Sequence, residues 1–515
     1  MSKNIPNPKG EHKKAEIFSE LDLIPVDTFG GRVHVKWDSQ ALLTPLGQLA
    51  FFIEFLKTGG IFNEWVEKCP MTFTSPNAPT KRDILGTILL SVLAGHKRYS
   101  HITSIRCDSV NPTLLGLSKI ASEDAVRRAL KYNIEELAGA DWLKQSLLST
   151  YNPLLTEPWI LDIDTTIKPL YGKQEGAVVG YNPHKPGRPS HVYHSYMIAN
   201  IRLMLDIELH PGNENASKHT APGLWSFLKG LAKNRWPDFM RGDCAFGTDA
   251  IMCKAEHIGL PYLFKLKQTA NVKKLINHYA FQSNWIYAGQ KWEGIESKLQ
   301  LYGWQHPRRV IILRKQVQQQ VSVLAENQKG GQLELNFAEI EAEMRIYEYA
   351  VLVTSLKDDI DTIAQHYRDR ADSENNFDEL KNQWGWLGYT TRDLKRSSMM
   401  ARVIALIYNW WTLFVRLINP NKHTEALTSR PLLLHAVGKQ TSHANKTTLV
   451  ISSIHGEAKQ IQQRLAKLSC FFKRLQSSAE QLTSIERWYR ILSAAFVKYL
   501  KGRILKPPEL LTEAC

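Results

Sequence analysis

Paired cysteines are missing from this sequence. The six cysteines (Cys69, Cys107, Cys244, Cys253, Cys470 and Cys515) are scattered, with no CxxC pair. That argues against a zinc ribbon and against a disulfide framework, and it fits a reducing compartment. Long apolar runs are missing too. The longest candidate, Ala401 to Ile418, is interrupted by Arg402, Asn409 and Arg416 and reads as a buried helix, so no membrane span is expected. The opening stretch MSKNIPNPKGEHKK has no apolar signal core, so a cytoplasmic location is expected, and residues 1–15 read as a disordered tail. No repeat or low-complexity tract stands out. Acidic residues are scarce at the end of the chain: Gly385 to Cys515 holds 20 lysines and arginines against 7 acids, so +13 of the total +15 lies there. Such an excess calls for a polyanionic partner, nucleic acid first and an acidic membrane second.

The 515 residues leave room for about three or four domains. Residues 1–155 read as a helical N-terminal domain. Leu42 to Phe62 and Lys81 to Leu93 are apolar at helical spacing, Ser122 to Leu137 is a helix with Ser122 as N-cap, and no β-rich stretch precedes Trp159. The pattern changes at Pro158. Trp159 to Leu170, Val192 to Asn200 and Leu203 to His210 are strand candidates, and Pro222 to Trp236 is an amphipathic helix. A short strand Phe239 to Phe246, a helix Thr248 to Ile258 and a strand Tyr262 to Gln268 follow. The expected fold class is α/β, an RNase H-like mixed sheet whose first part spans 156–280 and whose last part spans 348–420. An antiparallel β insertion, 281–347, interrupts it. This insertion holds Trp285, Trp292 and Trp304, the alternating runs Arg308 to Arg314 and Gln319 to Leu324, and the polar loop Asn327 to Gly331. A strand Tyr349 to Ser355 leads out of it. Everything after Thr390 reads as helical, so 421–515 is a basic helical region for dimerisation or DNA binding.

The segment YRDRADSENNFDELK carries the strongest chemical signal. It sets Tyr367, Arg370, Glu374 and Lys381 at offsets which, on one α-helix, fall within an arc of about 60°. A phenol, a guanidinium, a carboxylate and an ammonium then share a face, where a structural helix would be apolar. Two further acids stand out: Asp164 in the first strand of the sheet and Asp243 in RGDCAF at the end of the fourth. Asp162 shares the strand face of Asp164, and Asp378 lies one turn from Glu374, so either acid of each pair could serve. Clustered carboxylates repel unless a cation neutralises them, and hard oxygen donors suit Mg²⁺ or Mn²⁺. Two such ions can activate a hydroxyl and stabilise the leaving oxygen of a phosphodiester displacement.

These residues resemble the DDE transposases of bacterial insertion sequences, in the group with the signature Y-(2)-R-(3)-E-(6)-K. That spacing is complete here. DIDTT around Asp164 and RGDCAF around Asp243 resemble the two aspartate motifs. Gly59-Gly60, GHKRYSHI from Gly95 and QEG from Gln174 resemble the IS-thirteen-eighty branch. The resemblance implies a transposase that cuts and pastes a DNA segment in the bacterial nucleoid. Asp164, Asp243 and Glu374 would be catalytic and hold two Mg²⁺ ions, with Mn²⁺ able to substitute. Double-stranded DNA, as terminal inverted repeats and as target, would be the partner, with a homodimer in the synaptic complex. Tyr367, Arg370 and Lys381 would contact the cleaved strand, and Arg392, Lys395 and Arg396 would continue the phosphate track. In relatives of this kind the β insertion supplies a tryptophan that stacks on a flipped base, for which Trp292 and Trp304 are the candidates. The 1–155 domain would bind the element's ends. An RNase H-like nuclease without strand transfer and a non-catalytic DNA-binding derivative are the competing readings.

Overall fold

Alternation of apolar residues in the middle of the chain builds one large mixed sheet. The computed structural model describes residues 23–507 except 39, 183–184, 215, 318–346, 453–455 and 479. The expected N-terminal tail, the run Gln319 to Leu324 and the loop Asn327 to Gly331 lie outside the described residues. Among those described, ten strands form the sheet. Ile160–Pro169 is central and mostly buried, with no exposed residue. On one side it pairs antiparallel with Pro189–Ile198, which pairs antiparallel with Leu203–Pro211. On the other side it runs parallel to Phe239–Gly242, which runs parallel to Tyr262–Lys265.

The strands of the expected β insertion are antiparallel and continue the same sheet. Tyr347–Thr354 pairs antiparallel with Tyr262–Lys265, and Arg308–Gln316, Trp292–Leu299 and Ile286–Tyr287 follow outward in turn. The reason lies in composition. VIIL in Arg308–Gln316 and AVLV in Tyr347–Thr354 are buried runs that need a neighbour on each edge.

The helix Leu394–Ile418 organises the rest. Nearly every residue in it is buried, and its polar members are matched: Arg402 pairs with Asp206 at 2.8 Å, and the Asn409 amide bonds both the N–H and the C=O of Met204. Around it pack the helices Leu49–Gly59, Lys81–Leu93 and Glu136–Tyr151 from the first part of the chain, and Ala458–Gln476 and Ser484–Ala495 from the last. Phe55 meets Phe414, Phe472 and Trp488 in one aromatic cluster. The Gly59-Gly60 pair has a structural cause. A Cβ on Gly59 would lie 2.8 Å from the Trp488 ring, and Gly60 takes φ 71° to end the helix. The helix expected over Leu42 to Phe62 is therefore cut at Gly60, and a new one, Ile61–Glu67, begins.

Two hairpins correct the all-helical expectation for the ends. Ile24–Thr28 pairs with Gly31–Val35 around the turn Phe29-Gly30. Gly438–His443 pairs with Lys446–Ile451 and also with Leu43–Thr44. Its turn residues, Ala444 and Asn445, take φ 46° and 61°, the left-handed backbone that a tight hairpin needs. The helix expected from Pro222 begins earlier, as Ala216–Lys229, with Pro222 inside it.

Candidate active site

Six side chains converge where the parallel strands end. The parallel register pairs Ile160 with Phe239, Leu161 with Met240 and Asp162 with Arg241. Continued, it sets Ile163 beside Gly242, where a Cβ would lie 3.0 Å from the Ile163 side chain. Asp164 and Asp243 come next on their two chains, close enough for the charge of Asp243 to act on Asp164. Ordinary strand geometry thus brings together two acids that are far apart in sequence.

The motif helix is not continuous. Ile360–Arg368 ends and Ala371–Asn382 begins, with Asp369 and Arg370 between them still in right-handed helical backbone. Arg370 N–H bonds the Tyr367 carbonyl at 3.1 Å, a tightened i→i+3 turn, instead of the His366 carbonyl. That carbonyl is taken by the buried guanidinium of Arg241. A side chain entering the helix ladder makes the joint, so the single straight face expected from the spacing is replaced by two short helices meeting at Arg370.

Arg370 is 6% exposed and spans two acids. Its Nη2 donates to Asp164 Oδ2 at 2.6 Å and its Nη1 to Glu374 Oε1 at 2.9 Å. Burial pushes the Asp164 carboxyl up to about 7. Arg370 opposes that rise, and the nearby charges of Asp243 and Glu374 add to it. The same neighbours act on Tyr367, whose phenol burial pushes up to about 12. Burial holds Lys381 below the usual lysine value, with the charge of Asp164 acting against it. Asp164, Asp243, Tyr367, Arg370, Glu374 and Lys381 therefore share one neighbourhood. Asp164, Asp243 and Glu374 offer only carboxylate oxygens, the donor set of a hard divalent cation, and Arg370 supplies the positive charge between Asp164 and Glu374. The three carboxylates are spaced more loosely than the ligands of a single ion. Among the described residues, only His194, Glu208 and His210 bring three ligand atoms within 4.8 Å of one another.

The rival acids have other employment. Asp162 is 2% exposed, and both of its oxygens are engaged by Arg241, with Ser373 bonding one of them. Asp378 accepts from Asn382 at 2.7 Å. Arg241 and Ser373 went unread in the sequence, although each directly adjoins a motif residue: Arg241 opens RGD, and Ser373 precedes Glu374.

Residues 77–471, well over half of the chain, match the family described as Transposase DDE domain group 1. The chain belongs to this family. A comparison with curated proteins finds no match. Among solved structures, this transposase-family chain is similar to the piggyBac transposase synaptic complex with hairpin DNA, determined by electron cryo-microscopy. The identity is 11% and the TM-score 0.37, over 92% of this chain and 90% of that one. At that score the likeness carries no inference about this chain.

The remaining expected DNA contacts divide. Arg392 is exposed at the start of the long helix. Lys395 is committed internally, its Nζ donating to the Ile134 carbonyl at 2.7 Å, and Arg396 faces Asp393 at 3.7 Å. Neither is a free phosphate contact in this structure. Trp304 is a correction: it is 9% exposed, belongs to the main core and has Arg308 over its ring. Trp292 is half-buried and packs on the same small apolar cluster as Tyr367. In the late helices, Phe472, Trp488 and Tyr489 are buried in the core, so these aromatics face inward.

Proposed function

We propose that this chain is a DDE transposase that cuts DNA at the ends of a mobile element and joins the freed 3′-OH to target DNA. The observation that carries this reading is the single guanidinium of Arg370 bonding both Asp164 and Glu374, beside Asp243. Transposases of this family normally use divalent metals. In this reading Asp164, Asp243 and Glu374 would hold two Mg²⁺ ions, or Mn²⁺ in their place, which would supply activation of the attacking oxygen and stabilisation of the leaving one. Asp162 is left out of the proposed ligand set because Arg241 engages both of its oxygens and Ser373 bonds one of them.

The protein's own groups do the positioning. Arg370 gathers Asp164 and Glu374 to one point and offsets their charge while the site is free of DNA. Glu374 has a side chain 66% exposed, so it can turn without disturbing the core. Lys381 and Arg370 offer cations to the backbone of the scissile strand, and Tyr367 borders the same space. Trp292, which borders the same apolar cluster as Tyr367, is the tryptophan we assign to base stacking. The strand order from Leu203–Pro211 through Pro189–Ile198, Ile160–Pro169 and Phe239–Gly242 to Tyr262–Lys265 supports the RNase H-like reading, since three antiparallel strands give way there to a parallel pair. We assign the first 155 residues to binding the element's ends, the basic C-terminal helices to DNA or to a second copy, and the chain to the bacterial insertion-sequence branch.

The test is a Mg²⁺-dependent assay on DNA from the borders of the coding region. Strand joining supports the proposal, cleavage without joining makes the chain a nuclease, and binding alone removes it from catalysis. Glu374→Gln keeps DNA binding and abolishes cleavage. Residual cutting near the wild-type rate would remove Glu374 from the site.

A further inference from the structure

A second set of side chains lies on the opposite face of the catalytic sheet and takes no part in the site above. His194 is directly opposite Thr165 in one strand pair and Glu208 in the other. Side chains alternate along Ile160–Pro169, so Thr165, and with it His194 and Glu208, points away from the face of Asp164. His210 lies two residues beyond Glu208 and shares that face. One ligand atom from each of His194, Glu208 and His210 lies within 4.8 Å of the others. His194 is fully buried and the other two are half-buried.

The surroundings have the form of a supporting shell. His210 Nδ1 meets Glu214 Oε2 at 2.7 Å, and its Nε2 lies 3.7 Å from Glu208 Oε2. A carboxylate bonded to the far nitrogen of an imidazole is how ligating histidines are usually oriented. Tyr196 donates its hydroxyl to Glu208 Oε2 at 3.0 Å and fixes that carboxylate. The His194 and His210 rings stack at 29° with centroids 4.5 Å apart, so one ring would turn to bring both lone pairs onto a single ion. The helix Ala216–Lys229 meets the cluster with bare backbone: a Cβ on Gly223 would lie 2.0 Å from Glu208 Oε2. Two imidazoles and one carboxylate are a donor set for Zn²⁺ and related transition metals, and a poor one for Mg²⁺.

We propose that His194, Glu208 and His210 form a transition-metal site, of the zinc class, that clasps the strands Pro189–Ile198 and Leu203–Pro211 behind the catalytic carboxylates. Metal–ligand bonds of about 2.0–2.2 Å would draw the three side chains inward. The role is structural, because the site faces away from Asp164. It stands independently of the transposase reading.

The test uses the full chain, stripped with EDTA, reloaded with Zn²⁺ and passed through a desalting column. X-ray absorption at the zinc edge should then show imidazole scattering from two histidines, which the all-carboxylate centre cannot produce. Bound zinc should survive Asp164→Asn, and affinity should fall at least about tenfold in both His210→Gln and Glu208→Gln. Circular dichroism establishes that each variant is folded. Because the absorption spectrum is read on the wild-type chain, a variant that fails to fold leaves the test intact. No retained zinc, zinc without imidazole scattering, or equal affinity in a folded His210→Gln chain overturns the proposal and leaves a plain hydrogen-bonded histidine–glutamate network.

Discussion

Asp164→Asn should stabilise the metal-free chain while destroying its chemistry. A free aspartate titrates near 3.8, and burial among Asp243 and Glu374 pushes Asp164 up to about 7. The native state thus keeps a proton that the unfolded chain has already released. Stability from this group therefore falls as pH rises from about 4 to about 7, and the full penalty, about 4 kcal/mol as an upper bound, is present above that. Asparagine has the shape of the neutral acid and escapes the penalty. In urea denaturation with EDTA at pH 8, the variant should be more stable than wild type by up to about 4 kcal/mol, and the difference should shrink steadily as pH approaches about 4. Adding Mg²⁺ should stabilise wild type at pH 8 and leave the variant little changed. A variant less stable than wild type at pH 8, or a difference independent of pH, would refute the reasoning. It would mean that the ion pair with Arg370 outweighs burial, and that Asp164 is not an acid held in wait for a cation.

Arg241→Met should cost about 3–5 kcal/mol in the same urea experiment, because it leaves Asp162 buried without its cation, and pairing it with Asp162→Asn should recover much of the loss. Lys381→Ala should weaken DNA binding across all sequences. In fluorescence anisotropy at several salt concentrations, the slope of log affinity against log salt should fall by about 1. An unchanged slope would take Lys381 off the phosphate backbone.

The sequence disclosed what depends on local pattern and concealed what depends on distant partners. Alternation revealed the strands at Ile160, Leu203 and Tyr262, and the fixed spacing of Tyr367, Arg370, Glu374 and Lys381 marked the residues that gather at the sheet end. The choice between Asp162 and Asp164 was illegible, because both sit on one strand face. They part company only through Arg241 and Ser373, which are 79 and 211 positions from Asp162. The joint at Asp369-Arg370 holds no proline or glycine to announce it, since its cause is the Arg241 guanidinium on the His366 carbonyl. The Gly438–Ile451 hairpin turns on Ala444-Asn445, a pair without glycine, whereas the first hairpin has Gly30 in its turn and Gly31 just after it, a signal that the helical reading of residues 1–155 passed over. Burial of Trp304 and commitment of Lys395 to Ile134 are packing facts, and composition carries neither.

Crystals grown with Mn²⁺ and element-end DNA, measured at the manganese edge, test the central claim most directly. The account predicts anomalous peaks about 2.0–2.2 Å from carboxylate oxygens of Asp164, Asp243 and Glu374, with Arg370 released from Asp164. Manganese bound elsewhere, or Arg370 still seated between Asp164 and Glu374 with DNA in place, would contradict it.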